Sequence, residues 1–585
     1  MKKIIKFSIP IVSSIFPSLL ASCSNDNGFY FANFQSYISD SLLNRLQSNS
    51  EKGIDNKSTI KNFNYRTFST NEDLERNFYT NYDVAVPSTY LAVKLANEGE
   101  LKVIDWSKFH LHKLDKYGNK TNDMIENAED ALTLFTPQVR ATLLSYDLTD
   151  AEKIIEKYPD EEKIYKKDGG LLNFCVPYFL QNLGLTYKSK DGKEWNFDNK
   201  NNDNLSWPTI MNVLRQKIND GSIKKIAATD DSRILYSVAR LIQTSSNSTG
   251  PYVNPGEKID SNTKSTTLNK TISIDDFENT FKYLTNGIKK NTYYLNSDSN
   301  ILLNLFAYPN SGSADAIFSY NGDTLYGSQG GDSYGYNEDD PSVFEKWILN
   351  YFNGDDFKIK TINPQNSFLL LDTMVINRKR VLEKNHLDLA YDVIYKIGLE
   401  GADHSLYNDN TKSSYNNDAS VDNDPIFTVN SDDEFKYGPM LNFSYVQYVS
   451  PLQTINSYVL NTSSKLDKYQ ATKDYNGVPN FVKNNLKENN DTSSSSLGSL
   501  WDSVSTKVNG NGFYTNLYNK DKIIKSSTNP NGFLNEKQYN NFINTLIDIY
   551  SINKEINPNN IARNISDLNK SNMSWAYTNM KELYF

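Results

Sequence analysis

Between Phe29 and Gly99 the chain alternates strand and helix signals three times, and that alternation limits the fold more than any other feature of the sequence. Gly28-Phe29-Tyr30-Phe31-Ala32-Asn33-Phe34 predicts a short strand. Ser39 to Leu46 predicts a helix, with Leu42, Leu43 and Leu46 on one face. Phe63 to Phe68 alternates aromatic and polar residues, as a half-buried strand does, and Thr70-Asn71-Glu72-Asp73 then resembles a capping box. Tyr82 to Val86 predicts a buried strand. Pro87-Ser88-Thr89 turns it into a helix with Leu91, Ala92 and Leu95 apolar, closed by Gly99. Strands and helices in this order predict a parallel sheet flanked by helices. Ligands of such sheets bind beyond the C-terminal strand ends, where helix N-termini point inward. Ser88 and Tyr90 fall at such a point.

The N-terminus carries an address. Lys2, Lys3 and Lys6 precede an apolar stretch from Phe7 to Leu20, too short and too broken by Ser and Pro for a comfortable membrane span. It ends Leu20-Ala21-Ser22-Cys23, the pattern of a bacterial lipobox. The expected mature chain begins at a lipidated Cys23 and sits on the extracytoplasmic face of the cell membrane. Cys175, in the apolar run Phe174-Cys175-Val176, is expected to be a buried thiol without reactivity.

Along the rest of the chain, Leu101 to Lys167 is charged and mostly helical in pattern, and Leu171 to Tyr178 predicts a strand opening a new region. Trp207 to Leu214 predicts a helix. Ile223 to Ala228 predicts a strand, followed by Thr229-Asp230-Asp231-Ser232-Arg233 and a helix to Ile242. Ile274 to Lys289 predicts a helix, and Ala314 to Tyr320 a strand that ends in a turn at Asn321-Gly322-Asp323. Phe368 to Ile376 predicts a strand and Leu387 to Leu399 a helix. Gln243 to Lys270 and Asp403 to Tyr437 are polar insertions. From Thr462 the chain is rich in Asn, Lys and Ser, with scattered helices such as Gln538 to Tyr550.

Composition removes several function classes. With 61 basic and 70 acidic residues the net charge is -9, against a general nucleic-acid-binding surface. Two cysteines exclude a disulfide framework, and four scattered histidines without a His-Glu-x-x-His pair argue against a zinc hydrolase. No nucleophile elbow, phosphate-binding loop or calcium loop is present, so no catalytic residue, cofactor or metal is expected.

The most informative segment is Phe368-Leu369-Leu370-Leu371-Asp372-Thr373-Met374-Val375-Ile376, where one carboxylate interrupts an apolar strand. Burying it unpaired is costly, so Asp372 needs a cation or strong donors. A distant Lys or Arg, backbone N–H groups, or a cationic ligand in a cleft would each serve. Asp231 at a strand-to-helix junction suits an N-cap, and Asp323 suits ordinary turn chemistry. With Phe34, Tyr37, Tyr90 and Tyr320 near strand ends, these carboxylates form a plausible ammonium site. Carboxylates supply charge-assisted hydrogen bonds, and ring faces supply cation–π attraction.

Asn33-Phe34-Gln35-Ser36-Tyr37-Ile38, Thr67-Phe68-Ser69-Thr70-Asn71-Glu72, Tyr82-Asp83-Val84-Ala85-Val86-Pro87-Ser88-Thr89-Tyr90 and Lys94-Leu95-Ala96-Asn97-Glu98-Gly99 come in order. Together they closely resemble the bacterial spermidine/putrescine-binding proteins, the substrate-binding components of polyamine ABC transporters. The resemblance continues more weakly through Val176-Pro177-Tyr178, Thr229 to Arg233, Tyr320 to Asp323, Leu371-Asp372-Thr373 and Tyr448-Val449-Ser450-Pro451. It implies an α/β, two-lobed periplasmic-binding-protein fold of the second type, each lobe a mainly parallel sheet flanked by helices, with a polyamine clamped in the cleft between the lobes. It also implies a monomer that is not an enzyme, handing its ligand to an ABC permease with its ATPase. By motif, the implied ligand contacts are Phe34, Tyr37, Ser88, Tyr90, Asp231, Tyr320, Asp323, Asp372 and Tyr448. Phe34, Tyr320 and Leu370 stand where the family carries Trp, and Ile234 where the spermidine branch tends to carry Glu. The expected boundaries are 1–23 for the leader, 24–170 for the first part of lobe 1 and 171–370 for lobe 2. Residues 371–461 return to lobe 1, and 462–585 form a poorly assigned C-terminal region. Another small cation such as thiamine, or a surface lipoprotein acting as adhesin or hydrolase, are the alternatives.

Overall fold

The computed structural model describes residues 28–56, 58–115, 120–197, 205–243, 258–259, 266–267, 271–308, 312–330, 341–364, 367, 369–382, 384–404, 426, 434–459, 514, 517–518, 520–552 and 567–584. The leader with Cys23, most of both polar insertions and the Ser-rich stretch near 492–496 lie outside the described residues.

The N-terminal alternation builds the first lobe. Strand Phe29–Phe34 pairs in parallel with Phe63–Phe68 on one side and with Val84–Ala85 on the other. Helices Asp40–Gln47, Asn71–Asn81 and Thr89–Asn97 connect and cover them. The Thr70 side chain accepts from the Asp73 N–H, which satisfies one orphan donor at the second helix start. Leu42, Leu46, Leu74, Phe78, Leu91 and Leu95 of these helices are buried, while Leu43 and Val93 are half-buried against the same core.

Two long strands join the lobes. The outgoing strand, Cys175–Lys188, has its first half in lobe 1 and its second half in lobe 2. The returning strand, Leu369–Ile376, pairs antiparallel with it from Asn182 to Cys175 and then with Val84–Ala85. The returning strand therefore sits between the third strand and the outgoing strand, which is the strand order of type II periplasmic binding proteins. In lobe 2 the outgoing strand is flanked by Ala316–Tyr320 and Ile359–Ile362, both antiparallel to it. Ile226–Thr229 and Tyr293–Asn296 extend that sheet in parallel. Residues inside both sheets are buried on two faces, so the strands are nearly continuous apolar runs.

The structure departs from the sequence expectations in four places. Lys167–Asn173 is a 3-10 helix, and the predicted strand at Leu171 begins only at Cys175 and runs on to Lys188. Gly170 explains the break, with φ +53 and ψ -140 inside that helix. Asn321-Gly322-Asp323 is not a turn but the first turn of helix Asn321–Ser328. The stretch after Leu101 holds a hairpin, His112–Leu114 with Lys120–Met124, besides its short helices. The expected helix to Leu399 changes to π geometry over Tyr395–Leu399.

The C-terminal segments pack on the body. Helix Glu536–Tyr550, closed at its N-terminus by an Asn535/Gln538 capping box, lies against lobe 2. Its Tyr550 carbonyl accepts from Asn321 Nδ2 at 3.1 Å, and its Tyr550 hydroxyl donates to Asn456 Oδ1 at 2.6 Å. Among the described residues no helix is long and apolar enough to cross a membrane, and no group of three or more His, Cys, Asp or Glu could hold a metal.

Gly438 opens helix Gly438–Val446 with its Cα pressed against the Lys396 carbonyl, where an added Cβ would overlap backbone. Gly438→Ala should destabilise the fold by about 2–4 kcal/mol in denaturant unfolding, as a substitution that forces backbone apart. An unchanged midpoint would show that the two elements separate freely.

Candidate functional site

A cleft of about 360 Å³ lies between the lobes, at the C-terminal ends of the first-lobe strands. Its floor is the crossing of the outgoing and returning strands. Pairing there shifts register, so that Asp372 faces Phe179 while Thr373 faces Pro177. Pro177 has no N–H to donate, and a bulge at this point re-aims the neighbouring side chain. Asp372 is 2% exposed, and its carboxylate lines the cleft.

Three neutral side chains hold that carboxylate. Tyr37 Oη donates to Oδ2 at 2.6 Å, Gln181 Nε2 donates to Oδ2 at 2.7 Å, and Ser88 Oγ donates to Oδ1 at 2.7 Å. No Lys or Arg pairs with it among the described residues. Desolvation pushes its carboxyl up to about 6, against the opposing pull of Tyr37, Ser88 and Gln181. Each donor is itself positioned. Asn71 Nδ2 donates to Ser88 Oγ at 3.1 Å, and Asn71 Oδ1 accepts from Ser88 N–H at 3.0 Å. The buried Asn33 donates to the Tyr37 carbonyl at 3.1 Å, and Tyr178 Oη donates to the same carbonyl at 2.5 Å. The loop between them holds Ser36 at φ +56, a left-handed conformation that Ser adopts at a cost.

Rings surround the carboxylate. Phe34 packs on Phe68 with centroids 4.5 Å apart, and Tyr37 packs on Tyr448 at 4.9 Å. Tyr90 and Tyr320 line the cleft from lobe 1 and lobe 2, respectively. Burial is the main cause that raises both of their hydroxyl pKa values.

Eight of the nine residues expected from the sequence line this cleft: Phe34, Tyr37, Ser88, Tyr90, Asp231, Tyr320, Asp372 and Tyr448. Asp323 does not. It accepts the Tyr448 hydroxyl from behind the wall, and burial raises its carboxyl to about 6. Asp231 Oδ1 accepts from the N–H groups of Arg233 at 2.7 Å and Ile234 at 3.0 Å, so it caps helix Ser232–Gln243 while lining the cleft. Burial is the largest cause that raises its pKa, and Glu72 raises it further.

Sequence reasoning missed Gln181, Asn71, Glu72 and Arg233 as members of the site. Gln181 was legible in principle, as a polar side chain in the buried run Tyr178 to Leu183. Arg233 closes the segment Thr229 to Arg233, with no local pattern to mark it as part of the cleft. Its guanidinium stands 3.9 Å over the Tyr90 ring and carries a protein cation from lobe 2 to an aromatic face of lobe 1. The cleft is thus acidic but not free of protein cations. Glu72, Asp231, Asp298 and Asp372 line it with Arg233.

Because Asp372 and Asp323 sit above their ordinary value of 3.8, protonation favours the folded state. Their stabilising contribution is full below that value and is lost as pH rises through about 6. Asp372→Asn should therefore raise the melting temperature of the ligand-free protein at pH 7.5, and raise it less at pH 4.5. Differential scanning fluorimetry reads both, and a lower melting temperature at pH 7.5 would show that the ionised carboxylate supports the fold.

The family model described as "Hypothetical lipoprotein (MG045 family)" matches residues 1–584, and the chain belongs to that family. No curated protein matches the sequence. Among solved structures, the chain is similar to a Listeria monocytogenes protein assigned provisionally to spermidine/putrescine ABC transport. Identity is 17%, covering 74% of this chain and 85% of that one, with a TM-score of 0.35. It is similar to the spermidine/putrescine substrate-binding protein PotD of Streptococcus pneumoniae at 15% identity, covering 63% and 78%, with a TM-score of 0.32. It is similar to the Tp0655 (TpPotD) lipoprotein of Treponema pallidum at 14% identity, covering 64% and 81%, with a TM-score of 0.35.

Proposed function

We propose that this MG045-family lipoprotein captures a small organic cation of the polyamine class between its lobes and delivers it to an ABC permease. The observation that carries the reading is Asp372. It is a buried carboxylate on a cleft wall, oriented by three neutral donors and given no countercharge by the protein among the described residues. An ammonium group entering the cleft supplies that charge. It gains a charge-assisted hydrogen bond in a low-dielectric site, and Phe34, Tyr320 and Tyr448 offer ring faces to the attached methylenes. The excess of acidic over basic residues in the cleft favours a cation with more than one positive charge.

Capture follows from where Asp372 sits. Tyr37 and Ser88 belong to lobe 1, Tyr320 and Asp231 to lobe 2, and the two strands that carry Asp372 and Gln181 run between the lobes. A ligand touching both walls stabilises the closed arrangement by its differential contacts. No bond is made or broken. The lipid-anchored Cys23 would keep the protein at the extracytoplasmic face of the membrane, beside the permease.

Arg233 favours a second reading, in which the ligand is a cation with a flat or anionic end, such as thiamine. Calorimetry with putrescine, spermidine and thiamine separates the two. The polyamine reading expects Asp372→Asn to weaken putrescine or spermidine binding at least tenfold, about 1.4 kcal/mol, with the melting transition intact. Protons compete with the ligand for Asp372, so wild-type affinity should hold above pH 7 and fall about tenfold per unit once pH is well below 6. That slope should flatten in Asp372→Asn. Equal affinity in the two proteins would remove the carboxylate from the site.

A further inference from the structure

The C-terminal helix Asp567–Tyr584 is fastened to both walls of the cleft. Most of its polar ties go to lobe 2. Asn569 Oδ1 accepts from the Ile272 N–H at 2.9 Å, and Asn572 Nδ2 donates to the Ile272 carbonyl at 2.8 Å. Tyr577 Oη and Lys581 Nζ each donate to Asp230 at 2.6 Å. Tyr577 also packs on Phe281, centroids 5.6 Å apart. Asp230 directly precedes Asp231, so this end of the helix holds the strand end that forms the lobe 2 wall.

One tie goes the other way. Lys570 Nζ pairs with Glu75 Oε2 at 3.2 Å, and Glu75 lies on the lobe 1 helix Asn71–Asn81, whose first turn carries Asn71 and Glu72 into the cleft. The two side chains are 17% and 18% exposed, less than an ordinary surface pair. Lys94, also in lobe 1, pairs with the other Glu75 oxygen and fixes the carboxylate in place. A helix anchored on one lobe that forms an ion pair with the other can keep that pair only while the lobes are close.

We infer that Lys570 and Glu75 form an interlobe latch: the C-terminal helix, carried by lobe 2, pairs with the cleft-lining helix of lobe 1 in the closed state and slows its opening. The pair positions the walls and does not touch the ligand. Its effect on binding rests on the reading of the cleft as the ligand site, whereas its effect on lobe separation does not. Hinge rotation about the two joining strands carries Lys570 away from Glu75. Closure therefore gains the energy of a partly buried ion pair in addition to the ligand contacts.

The test uses the full-length chain in lipid nanodiscs, spin-labelled at the exposed Lys153→Cys on lobe 1 and Gln216→Cys on lobe 2. Double electron–electron resonance reads the distance between the lobes. Lys570→Glu, which sets two carboxylates against each other, should shift the distribution to longer distances. Lys570→Arg should keep the wild-type distribution, and Glu75→Gln should move it in the same direction as Lys570→Glu. With putrescine and spermidine as probes, Lys570→Glu should weaken binding about five- to tenfold, mainly through faster dissociation, as expected for lost closed-state stabilisation. Coincident distributions for wild type, Lys570→Glu and Glu75→Gln would overturn the latch whatever binds in the cleft. A longer distance in both variants with no wild-type binding of either probe would uphold the latch and overturn the polyamine reading.

Discussion

A carboxylate taken out of water without a countercharge costs several kcal/mol, and this fold places one on the strand that returns from lobe 2 to lobe 1. The arrangement around Asp372 follows from that cost. Tyr37 comes from the loop after the first strand, Ser88 from the start of the third helix, and Gln181 from the outgoing strand. Each donates one hydrogen bond and none carries a charge. The carboxylate is fixed in direction while its charge stays available, which an Arg or Lys partner would have prevented.

The same residues make the site dependent on the relation between the lobes. Asp372 and Gln181 sit on the two strands that any rotation must bend or twist. The segment that follows helix Gly438–Val446 brings Tyr448 as an aromatic wall to the same crossing. Leu180 pairs with Val449 by its N–H to the Val449 carbonyl at 2.9 Å, which ties this segment to the outgoing strand. The C-terminal helices then brace the assembly from outside. Tyr550 links Asn321 of lobe 2 to Asn456 beyond Tyr448, and Asp567–Tyr584 reaches from Asp230 to Glu75.

Legibility in the sequence followed the range of the interaction. Strands Phe29–Phe34 and Phe63–Phe68 and helix Thr89–Asn97 were legible because their apolar periodicity and caps are local. The anomaly of Asp372 was also local, one carboxylate in an apolar strand. Gly170 hid the true start of the outgoing strand, because a single residue at positive φ separates two structures of similar composition. Asn321-Gly322-Asp323 has turn composition but becomes helical, since Asn321 bonds the distant Tyr550 carbonyl and Gly322 lies under the Tyr448 ring, where a Cβ would not fit.

The sequence by itself determined which segments between Phe29 and Gly99 are strands and helices, that they alternate as a parallel sheet requires, and that one acid in the returning strand needs a partner. Those properties reside in neighbouring residues and in the cost of burying charge. Only the tertiary structure decided who the partners are. Tyr37 and Asp372 are 335 positions apart, and Lys570 and Glu75 are 495 apart. Such pairs are set by how strands cross and where helices dock, and no local pattern encodes which distant side chain will arrive.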